Sequence, residues 1–63
     1  MKRYYLEVIT GNDFGVDYEV EAETYECIMG GCYTFYIRDD KRHLKSVASY
    51  PINRTIIKRI EEI

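Results

Sequence analysis

Residues 16–23 read Val-Asp-Tyr-Glu-Val-Glu-Ala-Glu. Val16, Tyr18, Val20 and Ala22 alternate strictly with Asp17, Glu19, Glu21 and Glu23. Side chains of a strand point to opposite faces with period two. As a strand, this stretch has one apolar and one wholly acidic face, the pattern of an antiparallel sheet solvated on one side. As a helix, the same carboxylates would scatter around the circumference. The chain is therefore read as mainly β. From Tyr25 the apolar parity moves to odd positions, which predicts a bulge or bend near Ala22–Tyr25.

The rest of the sequence follows the same period. Tyr4, Leu6 and Val8 alternate with Tyr5, Glu7 and Ile9 in a first strand, and Gly11-Asn12-Asp13-Phe14-Gly15 supplies turn residues. Gly30-Gly31 marks a hairpin turn before a strand at Cys32–Arg38, with Tyr33, Phe35 and Ile37 on one face. Asp39-Asp40-Lys41-Arg42 is a polar connection to a strand at 43–50, which Pro51 ends because proline has no N–H to donate. The tail from Ile52 has two readings. Ile56, Ile60 and Ile63 recur at helical spacing, with Asn53 as a cap, whereas β-branched residues favour a fifth strand at 55–61 that covers a sheet edge. The expectation is one domain over residues 1–63: four to five antiparallel strands in a small β-roll or SH3-like barrel, closed or nearly so, with a short C-terminal helix or strand.

Size limits the function. At 63 residues, 46% hydrophobic and 14% aromatic, the chain suits a folded domain but leaves little to wall a cofactor pocket. No phosphate-binding glycine motif and no nucleophile elbow occurs. The single histidine, His43, sits in a charged loop, and Ser46 and Ser49 lie in a strand. The expectation is a non-enzymatic protein with no cofactor and no metal. Cys27 and Cys32 flank the glycine turn and are read as free thiols facing each other across a hairpin; their spacing is not the two-residue one of redox and zinc sites. Glu7 interrupts the early apolar run, so neither a signal peptide nor a membrane helix is predicted, and the location is read as cytoplasmic.

Charge is uneven. In residues 1–30, Lys2 and Arg3 stand against Glu7, Asp13, Asp17, Glu19, Glu21, Glu23 and Glu26, a net of −5; residues 31–63 carry net +3. Either opposite charges pair across neighbouring strands, or the split marks a binding face. The tyrosines are also numerous, seven in all. Tyr18, Tyr25 and Tyr33 are assigned to structure. Tyr4, Tyr5, Tyr36 and Tyr50 exceed the interior available, so they are placed on an exposed aromatic face suited to a partner or to the seam of a homodimer.

The segments VEAETY (20–25), GG (30–31), YTFYI (33–37), VASYP (47–51) and IIKRIEE (56–62) together resemble small uncharacterised β-proteins of phages and prophages. The resemblance spans roughly residues 16–62 and implies a β-roll or SH3-like barrel, a strand for the tail, a bacterial host and no shared catalytic chemistry. Combined with the acidic row, it yields the expected function. Asp17, Glu19, Glu21 and Glu23, spaced about 6.5–7 Å apart along a strand, imitate phosphates and, with Tyr4, Tyr5, Tyr36 and Tyr50, bind and inhibit a host defence protein, such as a nucleic-acid-binding enzyme. The alternatives are a structural or oligomeric accessory protein and, third, a single-stranded nucleic-acid binder using Arg38, Lys41, Arg42 and Lys45. The net charge of −2 argues against the third.

Overall fold

A computed structural model describes residues 1–11, 14–27 and 31–63. The central residues of both predicted glycine turns, Asn12, Asp13 and Gly30, lie outside them, with Ile28 and Met29. The described chain is strand almost throughout: β1 (Lys2–Ile9), β2 (Gly15–Ala22), β3 (Thr24–Cys27), β4 (Cys32–Arg38), β5 (Leu44–Pro51) and β6 (Thr55–Glu62). The tail is the strand of the two alternatives. Its only helical element is the single 3-10 turn Ile52–Arg54 between β5 and β6. No helix among the described residues is long and apolar enough to cross a membrane.

The strands form two antiparallel three-stranded sheets, ordered β2-β1-β6 and β3-β4-β5. The parity switch is the reason there are two. β2 and β3 are one continuous stretch interrupted only at Glu23, where the chain leaves one sheet and enters the other. Even-numbered Val20 and Ala22 face the core from the first sheet, and odd-numbered Tyr25 faces it from the second. The Glu23 N–H donates to the Tyr36 carbonyl at 2.8 Å, so the backbone stays bonded through the corner. Ala22, fully buried, leaves room for that corner to close.

Core side chains come from both sheets. Tyr4 and Leu6 of β1, Val20 and Ala22 of β2, and Phe35 of β4 are buried. Tyr25, Tyr33, Ala48, Tyr50 and Ile57 pack around them. Phe35 is the centre: its ring lies 5.1 Å from Tyr4, 5.7 Å from Tyr25 and 6.2 Å from Tyr50, centroid to centroid, in tilted or edge-on geometries. Such pairs add stabilisation beyond area burial.

Two expectations are corrected. Among the described residues the ladder does not close into a barrel, because β6 pairs only with β1 and β5 only with β4. Pro51, without an N–H, ends β5, and the 3-10 turn then carries the chain across to the other sheet. The cysteines do not face each other: Cys27 lies opposite Tyr33, and Cys32 lies opposite Pro51. Cys32 adjoins Tyr33 in β4, so alternation puts the two thiols on opposite faces of the sheet. Both are free.

Candidate interaction face

The first sheet turns a polar face away from the core, and its composition follows from register. β1 contributes Arg3, Tyr5 and Glu7. β2 sets Glu21, Glu19 and Asp17 directly opposite them. On the other flank β6 sets Glu61 opposite Arg3 and Arg59 opposite Tyr5. The ladder then slips by one residue, since Leu6 pairs with Ile57 and Lys58 is left over. A bulge of this kind puts two successive residues against one on the partner strand. Lys58 and Arg59 therefore share the outer face, both on the β6 flank of Tyr5.

Contacts knit this face together. Arg3 donates to Glu21 at 2.7 Å and lies 4.0 Å from Glu61. The hydrogen bond to Glu21, with the Tyr5 hydroxyl nearby, holds the Arg3 guanidinium more firmly protonated than usual. Lys58 reaches across β1 to Asp17 at 3.1 Å. Arg59 lies over the Tyr5 ring at 4.2 Å and 3.5 Å from Glu61, while the Tyr5 hydroxyl donates to Glu61 at 3.3 Å. Tyr5, Lys58 and Arg59 line a shallow, open hollow of about 380 Å³.

The predicted site residues separate. Asp17, Glu19 and Glu21 do form an exposed row, as the alternation requires. It is not a free row of charge: Asp17 and Glu21 are paired with cations, and only Glu19 has no ion-pair partner among the described residues. Glu23 stands apart at the corner, 3.8 Å from the Met1 amino group. Of the tyrosines, Tyr5 belongs to this face. Tyr4 is 2% exposed and part of the core, so its assignment to a partner surface is corrected: even parity on β1 sends it inward beside Leu6. Tyr50 also turns inward, 5.5 Å from the Tyr18 ring, and burial raises the pKa of its phenol. Tyr36 is on the outer face of the second sheet, its hydroxyl 3.4 Å from Glu26. Desolvation and that carboxylate raise its pKa. Tyr18, assigned to structure, is 43% exposed at the margin where the second sheet does not cover it.

Sequence reading missed Arg3, Lys58 and Arg59 as members of this face. A signal existed. Ile57 and Ile60 both point to the core side, and three-residue spacing in a strand demands a bulge between them. His43, at the β4–β5 turn, is 76% exposed and 3.9 Å from Asp39. Comparison with protein-family models, curated proteins and solved structures finds no match to the chain.

Proposed function

We propose that the chain is a non-enzymatic binding module that engages a protein partner through the outer face of β2-β1-β6. The observation that carries this is Tyr5: an aromatic ring held on a solvent-facing sheet, flanked by Lys58 and Arg59 and bordered by Asp17, Glu19 and Glu21. Tyrosine and arginine are among the residues enriched in protein interfaces, and a mixed-sign surround selects the partner and its orientation. The polar atoms around the hollow are already committed to one another, which favours docking over chemistry on a small substrate.

Pairing of Asp17 with Lys58 and of Glu21 with Arg3 divides the acidic row. Imitation of a phosphate backbone needs uniform negative potential. The mixed face accordingly favours a protein surface carrying both signs over a basic nucleic-acid groove. Inhibition of a host protein in the bacterial cytoplasm is the narrower form of this proposal, motivated by the resemblance to phage proteins. We also read the scaffold as an open, SH3-like roll. Support comes from the strand shared across the Glu23 corner and from the 3-10 turn between the last two strands.

The test is affinity capture from a bacterial lysate with wild type and two variants, followed by mass identification. Glu19→Arg alters the face; Tyr36→Ser alters the opposite sheet. The expected result is a protein retained by wild type and Tyr36→Ser and lost with Glu19→Arg. Equal retention by all three sinks the proposal.

A further inference from the structure

The free edge of β6 is complementary to itself. Among the described residues β6 is the outermost strand of its sheet, bonded on one side only, to β1. The Ile63 N–H donates to the Met1 carbonyl at 3.2 Å, which fixes the alternation beyond the bulge. Ile63 and Glu61 point their backbone groups toward β1, and Ile60 and Glu62 point theirs outward. An unpaired row of N–H and C=O groups is a template for another strand. Ile56 and Ile60 of this strand and Ile63 just past its end are 51%, 47% and 53% exposed.

The charges choose the occupant. Around Ile60 the sequence runs Lys58-Arg59-Ile60-Glu61-Glu62, cations on one side and anions on the other. An antiparallel copy centred on Ile60 exchanges backbone hydrogen bonds between the two Ile60 residues. It sets Arg59 of each chain opposite Glu61 of the other. Lys58, turned to the same outer face by the bulge, stays with Asp17, so the pair across the seam is Arg59 with Glu61. With the bulge pair counted as one position, Ile56 comes opposite Ile63. Moving the axis to Arg59 or to Glu61 sets like charges against each other, and a one-residue slip exchanges the faces.

The other edges lack this property. On β2, self-pairing about Glu19 sets Asp17 against Glu21. The β5 edge has a bulge at Val47 and ends in Pro51, both of which blunt pairing. β3 is only four residues long.

We infer that two copies of this chain join through β6, antiparallel and centred on Ile60, to make one six-stranded sheet. The inference stands apart from the partner-binding reading. It identifies the surface that supplies self-association and leaves the outer faces of both copies open to a partner.

Native mass and sedimentation test it with four variants, each checked for folding by circular dichroism. Wild type is expected at twice the 7.5 kDa chain mass. Arg59→Glu and Glu61→Arg each set like charges together twice per dimer and weaken it by about tenfold or more. Mixed in equal amounts, the two single variants form a heterodimer, and the double exchange Arg59→Glu/Glu61→Arg restores the homodimer. Ile60→Lys, a change outside the core, gives a folded monomer and decides the matter if a charge variant fails to fold. A wild type monomeric at millimolar concentration overturns the inference. So does a dimer whose mass Ile60→Lys leaves unchanged.

Discussion

The Arg59 guanidinium carbon lies 4.2 Å from the centroid of the Tyr5 ring, and the Tyr5 hydroxyl donates to Glu61 at 3.3 Å. The ring contact is close and the hydrogen bond long. A cation over an aromatic ring near the surface contributes about 0.5–1 kcal/mol, and a hydrogen bond to a carboxylate stretched to 3.3 Å, beyond the usual O–H···O range, contributes less. The expected order follows. Arg59→Ala lowers the unfolding free energy by about 0.5–1 kcal/mol, and Tyr5→Phe is near neutral. In a double-mutant cycle with Tyr5→Leu, Arg59→Ala shows positive coupling in urea denaturation. A larger loss from Tyr5→Phe than from Arg59→Ala would put the energy in the hydroxyl instead.

Thr55 sits opposite Val8 at the start of β6 and is 6% exposed. Its hydroxyl has no hydrogen-bond partner among the described residues. A buried hydroxyl without a partner carries its desolvation cost uncompensated, about 1–3 kcal/mol. Valine has the same shape without the oxygen. Thr55→Val is therefore expected to stabilise the domain by about 1 kcal/mol and to raise Tm by about 4–8 °C for a chain of this size. Thermal unfolding followed by circular dichroism measures it, and a lowered Tm would mean the hydroxyl has a partner after all.

These positions show what the sequence made legible. Alternation alone located β1, β2 and the inward face of β4, because period two is a local property and burial on one side enforces it. The parity change between Ala22 and Tyr25 disclosed the corner, though not that it divides the chain between two sheets. Assignments of the tyrosines needed the third dimension. Tyr4 and Tyr5 are adjacent and chemically identical, and only the identity of the covered face separates a core residue from a surface one. The outer face depended on a bulge at Lys58–Arg59, where isoleucines at helical spacing left helix and strand equally supported. Pairing of Asp17 with Lys58, 41 residues on, depends on β1 lying between β2 and β6, an order that local patterns do not encode.

The turn between β4 and β5 contains the one non-glycine residue with positive φ among those described, Arg42 at 65°. Asp39 organises the loop: its carboxylate accepts the Lys41 and His43 N–H groups at 2.9 Å each, and its carbonyl accepts that of Arg42 at 3.0 Å. A three-residue hairpin loop of this type favours glycine at the left-handed position, where other L-residues are strained by about 1–2 kcal/mol. Glycine returns part of that gain as greater freedom of the unfolded chain. Arg42→Gly is thus expected to stabilise by about 0.5–1 kcal/mol, and Asp39→Ala to destabilise by about 1 kcal/mol. Chemical denaturation of both variants checks the signs, and a destabilising Arg42→Gly would show that the 3.3 Å contact between Arg38 and the Arg42 carbonyl depends on the arginine.

Alkaline pH probes the aromatic core. Burial raises the Tyr4 phenol above its ordinary value of 10.0, helped by nearby Tyr25 and by Glu62 and Glu23. Burial also raises Tyr50, with Tyr18 adding to it. For a group whose folded pKa exceeds its unfolded one, the folded state holds the proton longer. Its contribution to stability is complete below the unfolded pKa and falls as pH rises toward the folded value. The domain is therefore expected to keep full stability up to about pH 10 and to lose it above. Phenolate absorbance should rise in two stages, with Tyr4 and Tyr50 ionising only as the sheet signal in circular dichroism disappears. Tyr4→Phe removes one of the coupled groups and should flatten the decline above pH 10. A single titration of all seven tyrosines with the sheet intact would contradict the burial of Tyr4 that holds β1 against Phe35.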